Sequence, residues 1–196
     1  MEFESVVKKR RMVRNFDRQT DVDDAGLLKI LDLAQHYPSA GFSQGVAFVV
    51  VRDPETKRRI GGDEEFQPNG NLNFVSYAPV LIVVCVSESI YHRRYQEADK
   101  LMPDGKEIEW PTPYWFFDAG AASMLVLLGA VNLGYAAVFV GIPRPDFVEL
   151  KKLLGIPDEF HPVGMISIGK PVPDVKSPSL KRGRRQYRDV FHFEHW

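Results

Sequence analysis

Arginines are concentrated near both ends of the 196-residue chain. Arg10, Arg11 and Arg14 lie within five residues near the amino terminus, and a second basic cluster spans residues 181–188. The planar guanidinium group carries a fork of N–H donors that matches the oxygens of a phosphate group. If the fold brings the two clusters together, they form one site for a dianion. If it does not, each cluster is a solvated run of charge.

The overall charge balance favours a small anionic ligand over a nucleic acid. The formal net charge is −1, so no excess of positive charge covers the surface. Hydrophobic residues make up 44% of the sequence, which is enough to build a core. We therefore predict one domain over residues 1–196. The single cysteine, Cys85, excludes a disulfide within the chain.

The sequence lacks a dinucleotide-binding fingerprint and the spacing of a metal site. The chain contains no Gly-x-Gly-x-x-Gly motif. Its five histidines do not have the spacing of a metal site. We therefore predict no catalytic side chain and no metal centre. If the protein is an enzyme, a bound cofactor carries the chemistry.

Apolar runs and helix signals divide the chain into alternating elements. Strands are predicted at residues 46–51, 79–87, 136–140 and 163–168. Helices are predicted at residues 2–9, from Asp21 or Asp23 to Pro38, from Asp118 to Leu133, and at 146–154. Residues 88–114 show neither pattern and are predicted to be irregular. The proline-rich stretch from about residue 170 is predicted to be an extended arm that returns the second basic cluster to the body.

Residues 119–143 carry no charged side chain, so a membrane span has to be considered. The sequence Asn132–Tyr135 reads as a helix stop, and the apolar piece Ala119–Val131 is shorter than the roughly 20 residues that a span needs. A buried helix followed by a buried strand is the better interpretation. The first residues do not resemble a signal peptide. We therefore expect a cytoplasmic protein without a membrane span.

Two segments could contact a flat ligand. The loop Pro38–Gln44 consists mostly of small and polar residues, so its backbone can approach a ligand closely. Taken alone, the loop is better interpreted as an ordinary connection between a helix and a strand. The segment from Trp110 to Trp115 holds three aromatic residues and two prolines. It either lines a substrate pocket or caps the core.

Taken in order, these features resemble the FMN-dependent nitroreductase family. The resemblance rests on the segment Arg10–Phe16, the loop Pro38–Gln44 before an apolar strand, the strand end Val140–Gly141 and the basic arm Lys181–Arg185. The segment Trp110–Trp115 is similar to one in actinobacterial members. The resemblance implies an α+β fold with a mostly antiparallel central sheet wrapped by helices. It also implies an interwoven homodimer with an extended C-terminal arm.

The resemblance further implies an FMN cofactor at the dimer interface and a two-step oxidoreductase reaction. NAD(P)H would reduce the flavin, and a small aromatic acceptor such as a nitroaromatic or quinone would then take its place. The FMN phosphate and ribityl chain would be held by Arg10, Arg11, Arg14, Arg182 and Arg184. The remaining cofactor contacts implied are Met12, Pro38, Ser39, Ala40, Gly41, Gln44, Asn71, Phe139, Val140 and Gly141. Pro38 to Gly41 would come from the partner subunit, and Trp110, Tyr114 and Trp115 would form an acceptor-side wall.

Several positions depart from the family pattern. Met12 replaces a frequent serine, Phe74 replaces a lysine found in some members, and Val140 replaces a glutamate. These changes leave the substrate range open. One alternative is a protein that binds FMN without turnover because residues 110–115 block the nicotinamide site. A second is a nucleic-acid binder with a basic arm, which is the least favoured.

Overall fold

The computed structural model describes residues 1–62, 74–142 and 147–196. Within these ranges the chain forms an α+β fold, as the sequence predicts. The helices are α1 Phe3–Lys9, α2 Asp24–Gln35, α3 Pro54–Gly61, α4 Phe74–Tyr77, α5 Glu88–Tyr95, α6 Tyr114–Asn132 and α7 Phe147–Leu154. The strands are β1 Val46–Val51, β2 Val80–Val86, β3 Ala136–Val140 and β4 His161–Gly169.

The four strands form one antiparallel sheet in the order β1-β2-β4-β3. Every residue of β2 is buried, because β2 has a strand on each side and packed elements on both faces. In β1 only Val51 is fully buried, although its whole sequence is apolar. The prediction of a fully buried strand at residues 46–51 was therefore wrong, because β1 is an edge strand.

The two faces of the sheet contribute to different parts of the core. Val80, Ile82 and Val84 of β2 pack in one cluster together with residues of α2 and α6. The alternate residues Leu81 and Val83 pack in a second cluster with α7. Since side chains alternate along a strand, the continuous apolar run of β2 is what allows both faces to be covered.

Helix α6 is longer than predicted, because it starts at Tyr114. Asp118 therefore lies inside the helix and is buried, so the prediction that it caps the helix was wrong. Among the described residues, α6 is the one helix whose length and composition would allow it to cross a membrane. Half of its most apolar window is buried inside the protein.

Residues 88–95 form α5, so the first part of the segment 88–114, which was predicted to be the most irregular, is helical. The helix is short and polar, and Tyr91 is its one buried residue, so it carries little helical periodicity. Asp23, one of the two predicted caps, accepts a hydrogen bond from the Gly26 N–H at 2.7 Å at the start of α2. Asp146, the predicted first residue of the helix at 146–154, lies outside the described residues.

Candidate functional site

The arginine segment at residues 10–16 is fixed between β3 and the chain that follows β4. Met12 pairs with Ala137 at the edge of β3, and the Val13 N–H donates to the Ala137 carbonyl at 3.2 Å. Phe16 forms a second bridge with Pro171. Phe16 is itself buried, so the backbone next to the arginines is anchored in the core. This anchoring fixes the backbone from which the arginine side chains extend.

A cavity of about 470 Å³ lies beside this segment, and we call it the basic cavity. One wall is formed by the arginine segment and the other by the first part of the C-terminal arm. Its lining residues are Arg10, Arg11, Met12, Val13, Arg14, Pro171, Val172, Pro173, Asp174, Val175, Lys176, Ser177, Ser179 and Leu180. Four cationic side chains and one carboxylate therefore surround it. Such a lining favours an anion.

The two walls of the basic cavity are joined by direct hydrogen bonds. The Arg14 N–H donates to the Asp174 carboxylate at 2.8 Å. The side-chain amide of Asn15 donates to the Pro173 carbonyl at 2.7 Å. These contacts hold the start of the arm against the arginine segment. Sequence reasoning missed Asp174 and Lys176, because no pattern marks them within a proline-rich stretch.

The Arg10 side chain has a buried donor without a partner. Its Nη1 atom is shielded from solvent and makes no hydrogen bond among the residues that the structure describes. Burying a guanidinium nitrogen without an acceptor is costly, so native proteins rarely leave one unpaired. The unpaired donor lies in a residue that lines the basic cavity. An oxygen of a bound phosphate would satisfy it.

A smaller groove of about 280 Å³, which we call the apolar groove, adjoins the basic cavity. It is lined by Met12, by residues near the ends of β3 and β4, and by residues of α6: Met12, Phe139, Val163, Phe116, Ala119, Gly120, Ser123, Met124 and Leu127. Met12 lines both spaces. A ligand with a charged end and a flat apolar end therefore has a matching surface across Met12. Of the predicted cofactor residues, this arrangement brings Phe139 and Met12 together with the arginines.

The second basic cluster does not line the basic cavity. The lining ends at Leu180, and Arg182 and Arg184 are exposed on the arm beyond it. Within one chain, the hypothesis that the two basic clusters meet was therefore wrong. The partner of the first cluster is the segment 171–180 instead. The predicted contacts of Arg182 and Arg184 with a phosphate stay a prediction.

The loop Pro38–Gln44 lies on α5 and α6 and lines neither space. Ala40 donates its N–H to the buried carboxylate of Asp118 at 3.0 Å, and the Gly41 carbonyl accepts from Arg94 Nε at 3.0 Å. The predicted contacts of Pro38, Ser39, Ala40, Gly41 and Gln44 with a cofactor from the partner subunit stay a prediction.

The end of β3 and Asn71 were the other predicted contacts with the flavin ring. Val140 is half-buried and packs against the second core cluster, whereas Gly141 is exposed. A Cβ at Gly141 would have no atom within 4 Å, so the backbone there is open to close approach. Neither residue lines the basic cavity or the apolar groove. Asn71 lies outside the described residues.

The predicted acceptor wall is split between core and surface. Trp115 is 7% exposed and packs on Tyr91, and Trp110 contacts the same ring edge-on at 6.3 Å between centroids. These positions match the core-capping alternative. Tyr114 is exposed at the first residue of α6. The role of the three residues in acceptor binding stays a prediction.

An ionic cluster around His92 joins Glu107, in the segment between α5 and α6, to α5. The two ring nitrogens of His92 contact Glu107 at 2.6 Å and Glu88 at 3.3 Å. Partial burial lowers the pKa of His92, but the two carboxylates outweigh it and the net pKa is raised. Burial raises the pKa of Glu107, but hydrogen bonds from Trp110 and His92 outweigh it and the net pKa is lowered. Both shifts favour the charged pair.

Comparison with known proteins gives a consistent result for sequence and fold. The profile of the Nitroreductase family matches residues 7–65 and 61–170. The chain is 30% identical to a putative NADH dehydrogenase/NAD(P)H nitroreductase of Methanothermobacter thermautotrophicus, over 100% of this chain and 88% of the relative. It is 32% identical to a protein of the same description from Archaeoglobus fulgidus, over 95% and 94%.

A solved structure has a similar fold. The NADPH:FMN oxidoreductase from Vibrio harveyi, complexed with NAD+, superposes with a TM-score of 0.74 at 21% identity. The alignment covers 99% of this chain and 77% of that chain. At this level of identity the similarity concerns the fold.

Proposed function

The chain belongs to the nitroreductase family, and from this premise we propose that it binds FMN and oxidises NAD(P)H. The electrons pass to a flat, electron-poor acceptor such as a nitroaromatic or a quinone. The relatives described as NAD(P)H nitroreductases and the fold shared with an NADPH:FMN oxidoreductase support the reaction class. Bound FMN supplies the redox chemistry, because it can accept hydride from a nicotinamide and release electrons to a second substrate.

The observation that carries the FMN assignment is the unpaired buried donor on Arg10 in the basic cavity. FMN combines a phosphate dianion with a flat aromatic ring. The basic cavity has the charge for the first part, and the apolar groove has the lining for the second. The two spaces, of about 470 and 280 Å³, together fall in the range of small-molecule sites. The residues present therefore fit the group.

Within this site, each of the chain's own residues has a distinct role. Arg10, Arg11 and Arg14 hold the phosphate by charge-assisted hydrogen bonds. Met12 lies between the two spaces and contacts the apolar part of the ligand. Phe139 forms the far wall of the groove. A cation close to the flavin ring would also favour the negatively charged reduced form of the cofactor.

A homodimer completes the site in this proposal. Helix α6 exposes the apolar side chains of Phe116, Phe117 and Met124, which a second subunit would cover. The partner would supply Pro38 to Gly41 toward the flavin ring, and the arm would carry Arg182 and Arg184 to the phosphate. We place the dimer in the cytoplasm.

The placement of the aromatic segment favours turnover over storage. A protein that only sequesters FMN needs residues 110–115 to block the nicotinamide site. Trp110 and Trp115 pack on Tyr91 instead, away from the lining of the basic cavity and the apolar groove. This packing supports an open approach to the site.

The anaerobic visible spectrum of the purified protein tests the proposal. We expect a flavin spectrum that bleaches when NADPH or NADH is added and recovers when a quinone follows. The relative rates with the two donors give the nicotinamide preference. A flavin spectrum that resists both donors would indicate the sequestering protein. A colourless protein that takes up no added FMN would contradict the cofactor assignment.

A further inference from the structure

Asp118 is a buried carboxylate without a cationic partner. It lies in the interior of α6, is 8% exposed, and forms no ion pair among the described residues. One of its oxygens, Oδ2, accepts both the Ala40 N–H at 3.0 Å and the Tyr91 O–H at 2.8 Å. A buried carboxylate is costly unless its hydrogen bonds offset the loss of solvation. We therefore expect the two hydrogen bonds that Asp118 accepts to have a function, because an apolar residue at this position could not accept them.

The loop from Ser39 to Gly45 packs against α5 and α6. Arg94 Nε donates to the Gly41 carbonyl at 3.0 Å, and the Ser87 N–H donates to the Gly45 carbonyl at 2.9 Å. A Cβ at Gly41 would approach the Tyr95 ring to 2.5 Å, and one at Gly45 would overlap the Tyr91 ring. The loop thus packs so closely on these tyrosines that a side chain does not fit beneath it.

These contacts hold the loop in a backbone conformation that its residue types do not favour. Phe42 has φ of 56° and Gln44 has φ of 55°, both in the left-handed region that larger residues rarely adopt. Phe42 is nevertheless 72% exposed, so its ring is not held by burial. Strained residues of this kind persist only where surrounding contacts fix them, and they concentrate at ligand sites. The loop is fixed by its contacts with Asp118 and with α5.

We propose that Asp118 is a positioning residue for the cofactor site. It does not touch the ligand. It holds the Ala40 N–H, and through it the loop Ser39–Gly45 in the conformation that presents Phe42 and the small residues to the flavin of the partner subunit. This inference rests on the proposed function for the identity of the ligand, whereas the contact between Asp118 and the loop stands without it.

Tyr91 also supports the loop, because it donates to Asp118 and its ring packs against Gly45. Burial raises the pKa of Tyr91, and the hydrogen bond to Asp118 raises it further, so the phenol stays protonated and donates. The groups that face Asp118 are the Tyr91 phenol from α5 and the phenol of Tyr37, which follows α2. The Tyr37 oxygen accepts the Val46 N–H at 3.2 Å. Both are neutral donors or acceptors. The carboxylate is therefore balanced by hydrogen bonds.

Two substitutions separate the hydrogen bond from the charge. Asp118→Asn keeps a carbonyl oxygen that can accept from both Ala40 and Tyr91 while removing the charge. Asp118→Leu removes the acceptor altogether. Amide hydrogen exchange of residues 39–45 in the FMN-free protein reports on the loop. We expect about tenfold faster exchange or more in Asp118→Leu and near wild-type exchange in Asp118→Asn, since the lost bond has a charged acceptor.

Binding of FMN, measured by quenching of its fluorescence, reports on the function of the loop. We expect Asp118→Leu to weaken binding about tenfold and Asp118→Asn to bind within a factor of about three of wild type. Val126→Ala, which truncates a fully buried side chain of α6 that lines neither the basic cavity nor the apolar groove, is the matched control for a loss of core stability and should keep FMN affinity. Circular dichroism confirms that each variant is folded.

The outcomes distinguish this inference from the proposed function. Unchanged exchange in Asp118→Leu would overturn the positioning role. Faster exchange with unchanged FMN affinity would show that the loop does not serve the cofactor site. Equal losses in Asp118→Asn and Asp118→Leu would assign the effect to charge and overturn the hydrogen-bond mechanism. If wild type itself binds no FMN, the proposed function fails while the exchange experiment still decides the role of Asp118. If Asp118→Leu does not fold, Ala40→Pro takes its place, since it deletes the same bond from the loop side.

Discussion

The backbone N–H of Arg14 donates a 2.8 Å hydrogen bond to the carboxylate of Asp174, which lies 160 residues further along the chain. This contact closes the basic cavity by joining the arginine segment to the start of the C-terminal arm. It also places a negative charge in a space that we assign to a phosphate. The two effects of Asp174 can be separated by mutation.

Asp174→Asn should tighten FMN binding. The amide oxygen of asparagine can still accept the Arg14 N–H, so the walls stay joined, while the repulsion of the phosphate is removed. We expect a gain of a few-fold at low salt that shrinks as the ionic strength rises, because charges separated by more than a Debye length of about 10 Å at 0.1 M are screened. Fluorescence titration with FMN at two salt concentrations measures this gain in affinity and its dependence on ionic strength. Asp32→Asn, on the exposed face of α2, is the control for net charge and should have no effect.

Arg10 should contribute more to FMN binding than an exposed arginine does. Its Nη1 donor is buried and unpaired, so a phosphate oxygen gains a fully desolvated hydrogen bond there. We expect Arg10→Ala, and likewise Arg14→Ala, to weaken FMN retention by about tenfold or more. Dialysis followed by absorbance of the retained flavin measures this. Arg58→Ala removes an arginine paired with Glu55 on the surface of α3 and should retain FMN fully. Wild-type retention in Arg10→Ala would contradict the assignment of the cavity.

Arg182 and Arg184 test whether the arm reaches the site in the dimer. Both are exposed in one chain, so replacing them should leave the thermal unfolding midpoint unchanged. The double variant Arg182→Ala/Arg184→Ala should nevertheless weaken FMN binding and flatten its salt dependence, because two cations near the phosphate are lost. Arg188→Ala, further along the same arm, is the control. Equal affinities in all three proteins would show that the arm does not contact the phosphate.

The sequence predicted the parts of the site whose position depends on nearby residues. The arginine segment combines cations with Phe16, and because Phe16 is buried the backbone is fixed where the apolar pattern places it. The Asp23 cap and the strands followed from local signals in the same way. The far wall of the cavity did not, because Asp174 and Lys176 acquire their role only when the arm passes Arg14.

The errors in the predicted elements have a common cause. Asp118 resembles a helix cap, but tertiary contacts with Ala40 and Tyr91 explain its presence inside α6. Helix α5 was missed because its contacts are made through one tyrosine rather than an apolar stripe. β1 has the composition of a buried strand and occupies an edge. In each case packing with distant residues overrides the local pattern.

The His92 cluster should make stability depend on pH. The pKa of His92 is raised in the folded protein, so its contribution is fully present below the unfolded pKa of about 6.5 and is lost as the pH rises through the higher folded value. Urea unfolding should therefore show wild type more stable than His92→Gln at about pH 5.5, with the difference shrinking above neutral pH. A pH-independent difference would mean that His92 acts by packing alone.

Gly164 and Phe139 should be coupled, because the ring of Phe139 lies directly over Gly164. A Cβ at residue 164 would overlap the ring, so Gly164→Ala has to displace Phe139 from the wall of the apolar groove. We expect a loss of about 1–3 kcal/mol in the free energy of unfolding, as for other overpacked cores, together with weaker FMN binding. Phe139→Leu should relieve the overlap, so the double variant should be more stable, by about 1 kcal/mol, than the sum of the two single effects implies.

Gly120→Ala is the matched control and should not destabilise the protein. Gly120 lines the apolar groove, and a Cβ at this position would have no atom within 4 Å. Additive effects of Gly164→Ala and Phe139→Leu would show that the ring can move aside freely, and Phe139 would then not form a fixed wall for the flavin.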